Sequence, residues 1–88
     1  MATFVIHGRR SPEMLGRVVL LFHRLQVEIE WIMAERIGQS DEVCITIRAD
    51  ITPDMSRRVE ANLCKFVDVL SVEIQEAMRR TSASEETR

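Results

Sequence analysis

Apolar and polar residues alternate along this chain with two different periods. After Pro12, the residues Leu15, Val18, Val19, Phe22 and Leu25 recur at three- and four-residue steps, which draws one stripe on a helix of 3.6 residues per turn. Met55, Val59, Leu63 and Phe66 repeat the pattern and predict a second helix over about 53–66. Leu20 falls opposite the first stripe. Elsewhere the period is two, and residues 3–7, 27–33, 43–48 and 67–74 read as strands. Gly38-Gln39-Ser40-Asp41 is a turn cluster between the middle pair.

Both helices open on the same punctuation. Ser11-Pro12-Glu13-Met14 is echoed by Thr52-Pro53-Asp54-Met55, 41 positions on. A hydroxyl at the cap accepts an orphan backbone N–H, Pro at the first helical position has no N–H to orphan, and an acid suits the positive helix end. The predicted order is therefore β-α-β-β-α-β. That is the pattern of an α+β, ferredoxin-like fold: a four-stranded antiparallel sheet with two helices on one face. One domain spans residues 1–78. The stretch 79–88, RRTSASEETR, is polar and aperiodic and is expected to be a disordered tail.

Composition narrows the function. With 88 residues, 45% hydrophobic and 30% charged, the chain reads as one soluble globular domain, small enough that oligomerisation would help it. A net charge of −2 argues against nucleic acid as a partner. No apolar run is long enough to span a bilayer, and the N-terminus lacks the pattern of a secretory leader, so no membrane partner and a cytoplasmic location are expected. Cys44 and Cys64 have no partner at metal-ligand spacing and are expected to be buried, reduced thiols.

Chemistry on this fold has to be argued from sites. An RNA-recognition domain would carry stacking aromatics on its central strands, and the third strand here has none. A metal chaperone would need paired cysteines where this chain has Arg9, Arg10 and Ser11. An acylphosphatase-like hydrolase would pair an arginine in that turn with a nearby asparagine, yet the single Asn62 stands on the second helix. His7 and His23 lack a nucleophile partner, and Glu28 and Glu30 read as a solvated face. No catalytic residues and no metal site are predicted.

The stretch Pro12-Glu13-Met14-Leu15-Gly16-Arg17-Val18, then Leu21-Phe22-His23-Arg24 and Val27-Glu28-Ile29-Glu30, resembles an ACT domain. Asn62-Leu63-Cys64-Lys65-Phe66-Val67-Asp68-Val69-Leu70-Ser71-Val72 is sharper. It is similar to the "QLxKLVDVxxV" signature of the small, regulatory subunit of acetohydroxyacid (acetolactate) synthase, closest to the short isozyme II type. The resemblance covers about residues 3–75. It implies a non-catalytic subunit, with no cofactor of its own, that activates a large catalytic subunit using thiamine diphosphate, Mg²⁺ and FAD in branched-chain amino-acid synthesis. The family's valine turn reads N-x-x-G-x-L, and here Arg10 stands at the Asn position and Glu13 at the Gly position. A side chain and a negative charge then meet the site where an effector's carboxylate would bind, so valine sensitivity is expected to be weak or absent. Arg9, Arg10, Ser11, Pro12 and Glu13 remain the candidate ligand-binding turn, for an amino acid or another anionic ligand.

The resemblance also implies a homodimer, formed through the edge of the second strand and the first helix. Its expected contact residues, for that partner or the catalytic subunit, are Leu20, Val27, Ile29, Trp31 and Met33, with Ile32, Cys44, Thr46 and Arg48 on the open sheet face. Two other readings stay open: a free-standing ACT-type module that binds a small ligand and regulates another enzyme, and a small phosphate-ester or acyl-phosphate hydrolase using Arg9 or Arg10.

Overall fold

The first strand shows the period-two rule most plainly. Ala2, Phe4, Ile6 and Gly8 are buried, while Thr3, Val5 and His7 between them are half-buried on the other face. This strand, β1 (Ala2–Arg9), is followed by α1 (Met14–Arg24), β2 (Ile29–Arg36), β3 (Glu42–Ala49), α2 (Pro53–Leu63) and β4 (Val69–Glu76). The computed structural model describes residues 1–76, so the predicted boundary at 78 and the tail at 79–88 lie outside the described residues. The strands form one antiparallel sheet in the order β2-β3-β1-β4. The predicted βαββαβ architecture is the one observed, with β2 and β4 as its edges.

One face of the sheet makes the core with both helices. Phe4 and Ile6 of β1, Ile45 and Ile47 of β3, Val18 and Phe22 of α1, and Val59 and Leu63 of α2 are almost wholly buried. Phe4 and Phe22 meet edge to face at 5.3 Å between ring centroids, which joins α1 to the centre of the sheet. The buried stripe of α1 keeps Val18, Phe22 and half-buried Leu25 of the predicted one but is rotated toward Met14 and Leu21. It runs through Met14, Val18, Leu21 and Phe22, and leaves Leu15 and Val19 exposed on the helix flank.

The two helix starts also differ. Thr52 caps α2 as predicted, in extended conformation, with its Oγ1 accepting from the Met55 N–H at 3.2 Å. At α1 the cap residue is Glu13, two positions later than expected, and it makes no side-chain cap bond. Ser11 and Pro12 belong to a preceding turn, in which the Ser11 carbonyl accepts from Met14 N–H and the Ser11 Oγ accepts from Glu13 N–H. The helix begins where Met14 lies across Gly8. A Cβ on Gly8 would overlap the Met14 Cε and come within 2.6 Å of the Asp68 carbonyl.

The far end of α1 accounts for a second shift. Gln26 sits in the left-handed region at φ 59°, its N–H donates to the His23 carbonyl, and the Val27 N–H donates to the Phe22 carbonyl. This is a Schellman ending, and Val27 is its buried hydrophobic anchor against the helix. Val27 therefore stands before β2 and is no edge contact. The second correction follows from Glu30, which is bulged out of the β2–β3 ladder between Ile29 and Trp31. An extra residue reverses the parity of everything after it. Ile29 and Ile32 pair with Ala49 and Ile47 on the helix side, whereas Trp31 and Met33 pair with Arg48 and Thr46 on the open side. Ile32 thus leaves the predicted open face, while Cys44, Thr46 and Arg48 remain on it.

Candidate functional site

Three segments converge where β1 gives way to α1. The Arg10 N–H donates to the Asp41 carbonyl at 2.5 Å, which ties the end of β1 to the turn between β2 and β3. The Arg9 N–H donates to the Asp68 carbonyl at 2.8 Å, which ties it to the approach to β4. That turn is itself braced, because Ser40 Oγ donates to the Ile37 carbonyl and accepts from the Glu42 N–H. The three segments enclose a groove of about 410 Å³, lined by Arg9 and Arg10, by Ser40, Asp41 and Glu42, and by Asp68 and Leu70.

The groove carries charges of both signs that do not neutralise one another. Among the described residues, Arg9, Arg10, Asp41 and Glu42 make no ion pair. Asp68 is engaged by Arg17 at 3.6 Å, and Arg17 also reaches Glu13 at 3.7 Å. Guanidinium groups suit a carboxylate or phosphate, and free carboxylates beside them suit an ammonium group. The chemistry offered is the recognition of a small polar ion, including one that carries both charges.

The candidate turn is only partly gathered here. Arg9 and Arg10 line the groove, while Ser11 and Pro12, with Arg10, line a separate depression of about 280 Å³ beside it. Glu13 lines neither: its carboxylate lies against the Ser11 hydroxyl and Arg17. The contribution of Ser40, Asp41 and Glu42 was missed by sequence reasoning, which treated that segment as a connector. Its signal was the turn cluster itself, since a hairpin joining β2 to β3 must end beside the last residues of β1 when β1 pairs with β3.

The remaining candidate chemistry is dispersed. His7 Nδ1 lies 3.4 Å from the Ser71 Oγ on the open sheet face, and His23 is exposed on α1. Among the described residues, no group of three or more His, Cys, Asp or Glu could hold a metal ion. Cys44 is half-buried, and Cys64, expected to be buried, is exposed just after α2 because the helix ends at Leu63. Leu20, Trp31 and Met33 are exposed, and Ile29 is half-buried on the helix side. Arg48 stacks over the Trp31 ring at 5.2 Å on the open face. No described helix is long and apolar enough to cross a membrane.

No family model matches the chain, and no curated protein matches it by sequence. Solved structures do. The crystal structure of the ACT domain from the GTP pyrophosphokinase of Chlorobium tepidum is similar at a TM-score of 0.71 and 16% identity, covering 84% of this chain and 95% of that one. The acetolactate synthase small subunit of Thermotoga maritima matches at 0.78 and 17%, over 89% of this chain and 48% of that one. The regulatory subunit of aspartate kinase from Thermus thermophilus matches at 0.59 and 14%, over 84% of this chain and 49% of that one. At these identities the likeness is one of architecture: the chain has the fold found in ACT domains.

Proposed function

We propose that this protein is a non-catalytic regulatory subunit, the activating small subunit of acetolactate synthase in branched-chain amino-acid biosynthesis, with little or no sensitivity to valine. The observation that carries the reading is Lys65-Phe66-Val67-Asp68-Val69. This is the stretch that most resembles the small-subunit signature, and its first four residues occupy a surface loop between α2 and β4. Lys65 and Val67 are exposed, so core packing does not dictate them. The fold shared with an acetolactate synthase small subunit supports the same reading.

In this account the chain has no cofactor of its own, works in the cytoplasm beside the thiamine-diphosphate-dependent catalytic subunit, and forms a homodimer through the β2 edge. That edge exposes Trp31, Ile32 and Met33 on both of its faces, and α1 adds Leu15 and Val19. An unpaired apolar edge strand favours such pairing. The groove at Arg9, Arg10 and Asp41 is the place for an amino-acid effector. Glu13 replaces the glycine of the valine turn with a side chain whose charge is shared with Arg17.

The test is sedimentation of this chain mixed with an acetolactate synthase catalytic subunit. A joint species at micromolar concentration, with a raised rate of acetolactate formation, is the expected result. Separate sedimentation at all ratios would refute the reading. A second reading, a free-standing ACT-type module regulating another enzyme through a small ligand, is favoured by the two-signed groove and by the likeness to the ACT domain of a GTP pyrophosphokinase. An amino acid that raises the melting temperature of the isolated chain, without any synthase complex, would select it.

A further inference from the structure

A second groove lies on the helical layer. Arg17, Leu20, Leu21 and Arg24 occupy the i, i+3, i+4 and i+7 positions of α1, a single helical face. Together with Phe66, from the loop after α2, they enclose about 220 Å³. The floor is apolar: Leu21 is buried, Phe66 packs partly against the core, and Leu20 is 51% exposed. Arg17 and Arg24 flank it, and exposed Lys65 precedes Phe66 in the chain. Val67, which follows Phe66, is 90% exposed, more than any other large apolar side chain described. Among the described residues nothing covers that side chain, and it is next in sequence to Phe66, which lines the groove beside exposed Leu20.

Charge selects the occupant. The whole chain carries a net −2, yet this groove is lined by Arg17 and Arg24, and Lys65 is next in sequence to its Phe66. Arg17 is partly balanced by Glu13 and Asp68, but among the described residues Arg24 and Lys65 have no ion-pair partner. An acidic segment bearing an aliphatic side chain satisfies the floor and the rim together. We propose that this groove docks an acidic segment of the partner enzyme, with an aliphatic side chain seated against Leu20 and Phe66 and carboxylates at Arg24 and Lys65. The identity of that enzyme rests on the regulatory-subunit reading; the chemistry of the groove does not.

The test uses a defined probe: a fluorescein-labelled peptide with leucines four residues apart flanked by glutamates, and its counterpart with lysines. By anisotropy at low salt, the wild-type chain should bind the glutamate peptide at least about tenfold tighter than the lysine peptide. Arg24→Glu should abolish or reverse that preference, and Val67→Ser should weaken binding about tenfold at unchanged melting temperature, since both side chains are exposed. No preference between the peptides, or a preference untouched by both substitutions, would overturn the proposal. So would a dimer that Val67→Ser converts to monomer, because the groove would then belong to a second copy.

The synthase enters separately. Both variants should raise the concentration of this chain needed for half-maximal activation, also by about tenfold, while the maximum is still reached. Full activation at an unchanged half-maximal concentration would sink the groove and keep the synthase reading. Selective peptide binding without any activation by the wild type would do the reverse.

Discussion

Replacing Gly8 with alanine adds one methyl group at the most crowded point of the backbone. The new Cβ would overlap the Met14 Cε and stand 2.6 Å from the Asp68 carbonyl oxygen. The backbone carbonyl is the harder obstruction. Met14 is 2% exposed, so although its thioether end is flexible it must repack among buried neighbours to make room. The Asp68 carbonyl accepts from the Arg9 N–H at 2.8 Å, the residue next to the substitution, so displacing it strains that bond. Inserting a methyl into a packed site costs about 1–3 kcal/mol, and two obstructed directions place this case near the upper end, at about 2–3 kcal/mol. For a domain of this size that corresponds to a fall in melting temperature of roughly 10–20 °C. Urea unfolding followed by circular dichroism measures it directly. Met14→Ala supplies the internal control: alone it should cost about 2–4 kcal/mol by leaving a cavity, and in the Gly8→Ala background clearly less, because the cavity admits the new methyl. A Gly8→Ala variant within about 0.5 kcal/mol of wild type, or strictly additive losses in the double variant, would refute the packing argument.

Other outcomes follow from single features. Gln26→Gly should stabilise the domain by about 1 kcal/mol, since glycine occupies the φ 59° position at the end of α1 without steric penalty; a loss in denaturant stability would contradict the Schellman assignment. Thr52→Ala should cost about 1 kcal/mol through its lost cap bond, whereas Ser11→Ala, outside the helix proper, should cost less than half of that, and equal losses in urea titrations would count against the difference between the two starts. Phe22→Ala removes a wholly buried ring and its contact with Phe4, and should cost about 3–5 kcal/mol, enough to leave much of so small a domain unfolded at 37 °C by circular dichroism. Arg10→Asn combined with Glu13→Gly should introduce measurable valine binding by calorimetry; silence would argue that the turn is closed to valine for another reason.

How far the sequence alone led depended on whether a local rule had its marker. α2 carried all of its signals, Thr52, Pro53 and Asp54, and began where they pointed. α1 carried the same signals, yet Ser11 folds into a turn of its own, its hydroxyl accepting from the Glu13 N–H, and the helix begins at Met14. The end of α1 offered no glycine to announce a left-handed cap, so Val27 passed for the first residue of an alternating strand. Glu30 kept the strict alternation of its neighbours in the sequence, and a bulge is invisible to periodicity until pairing with β3 is known. The candidate site followed the same logic. Arg9 and Arg10 were legible because they flank a helix start, while Asp41 and Glu42 entered only through the register of β1 on β3.

The central claim is that this chain activates a synthase without performing chemistry itself, and one titration addresses it most directly. Acetolactate formation by the catalytic subunit would be followed as this chain is added, with and without valine. The account predicts a saturable rise in rate that valine leaves nearly unchanged. A rate indifferent to the chain at every ratio would contradict the claim, and strong inhibition by valine would contradict its account of Arg10 and Glu13.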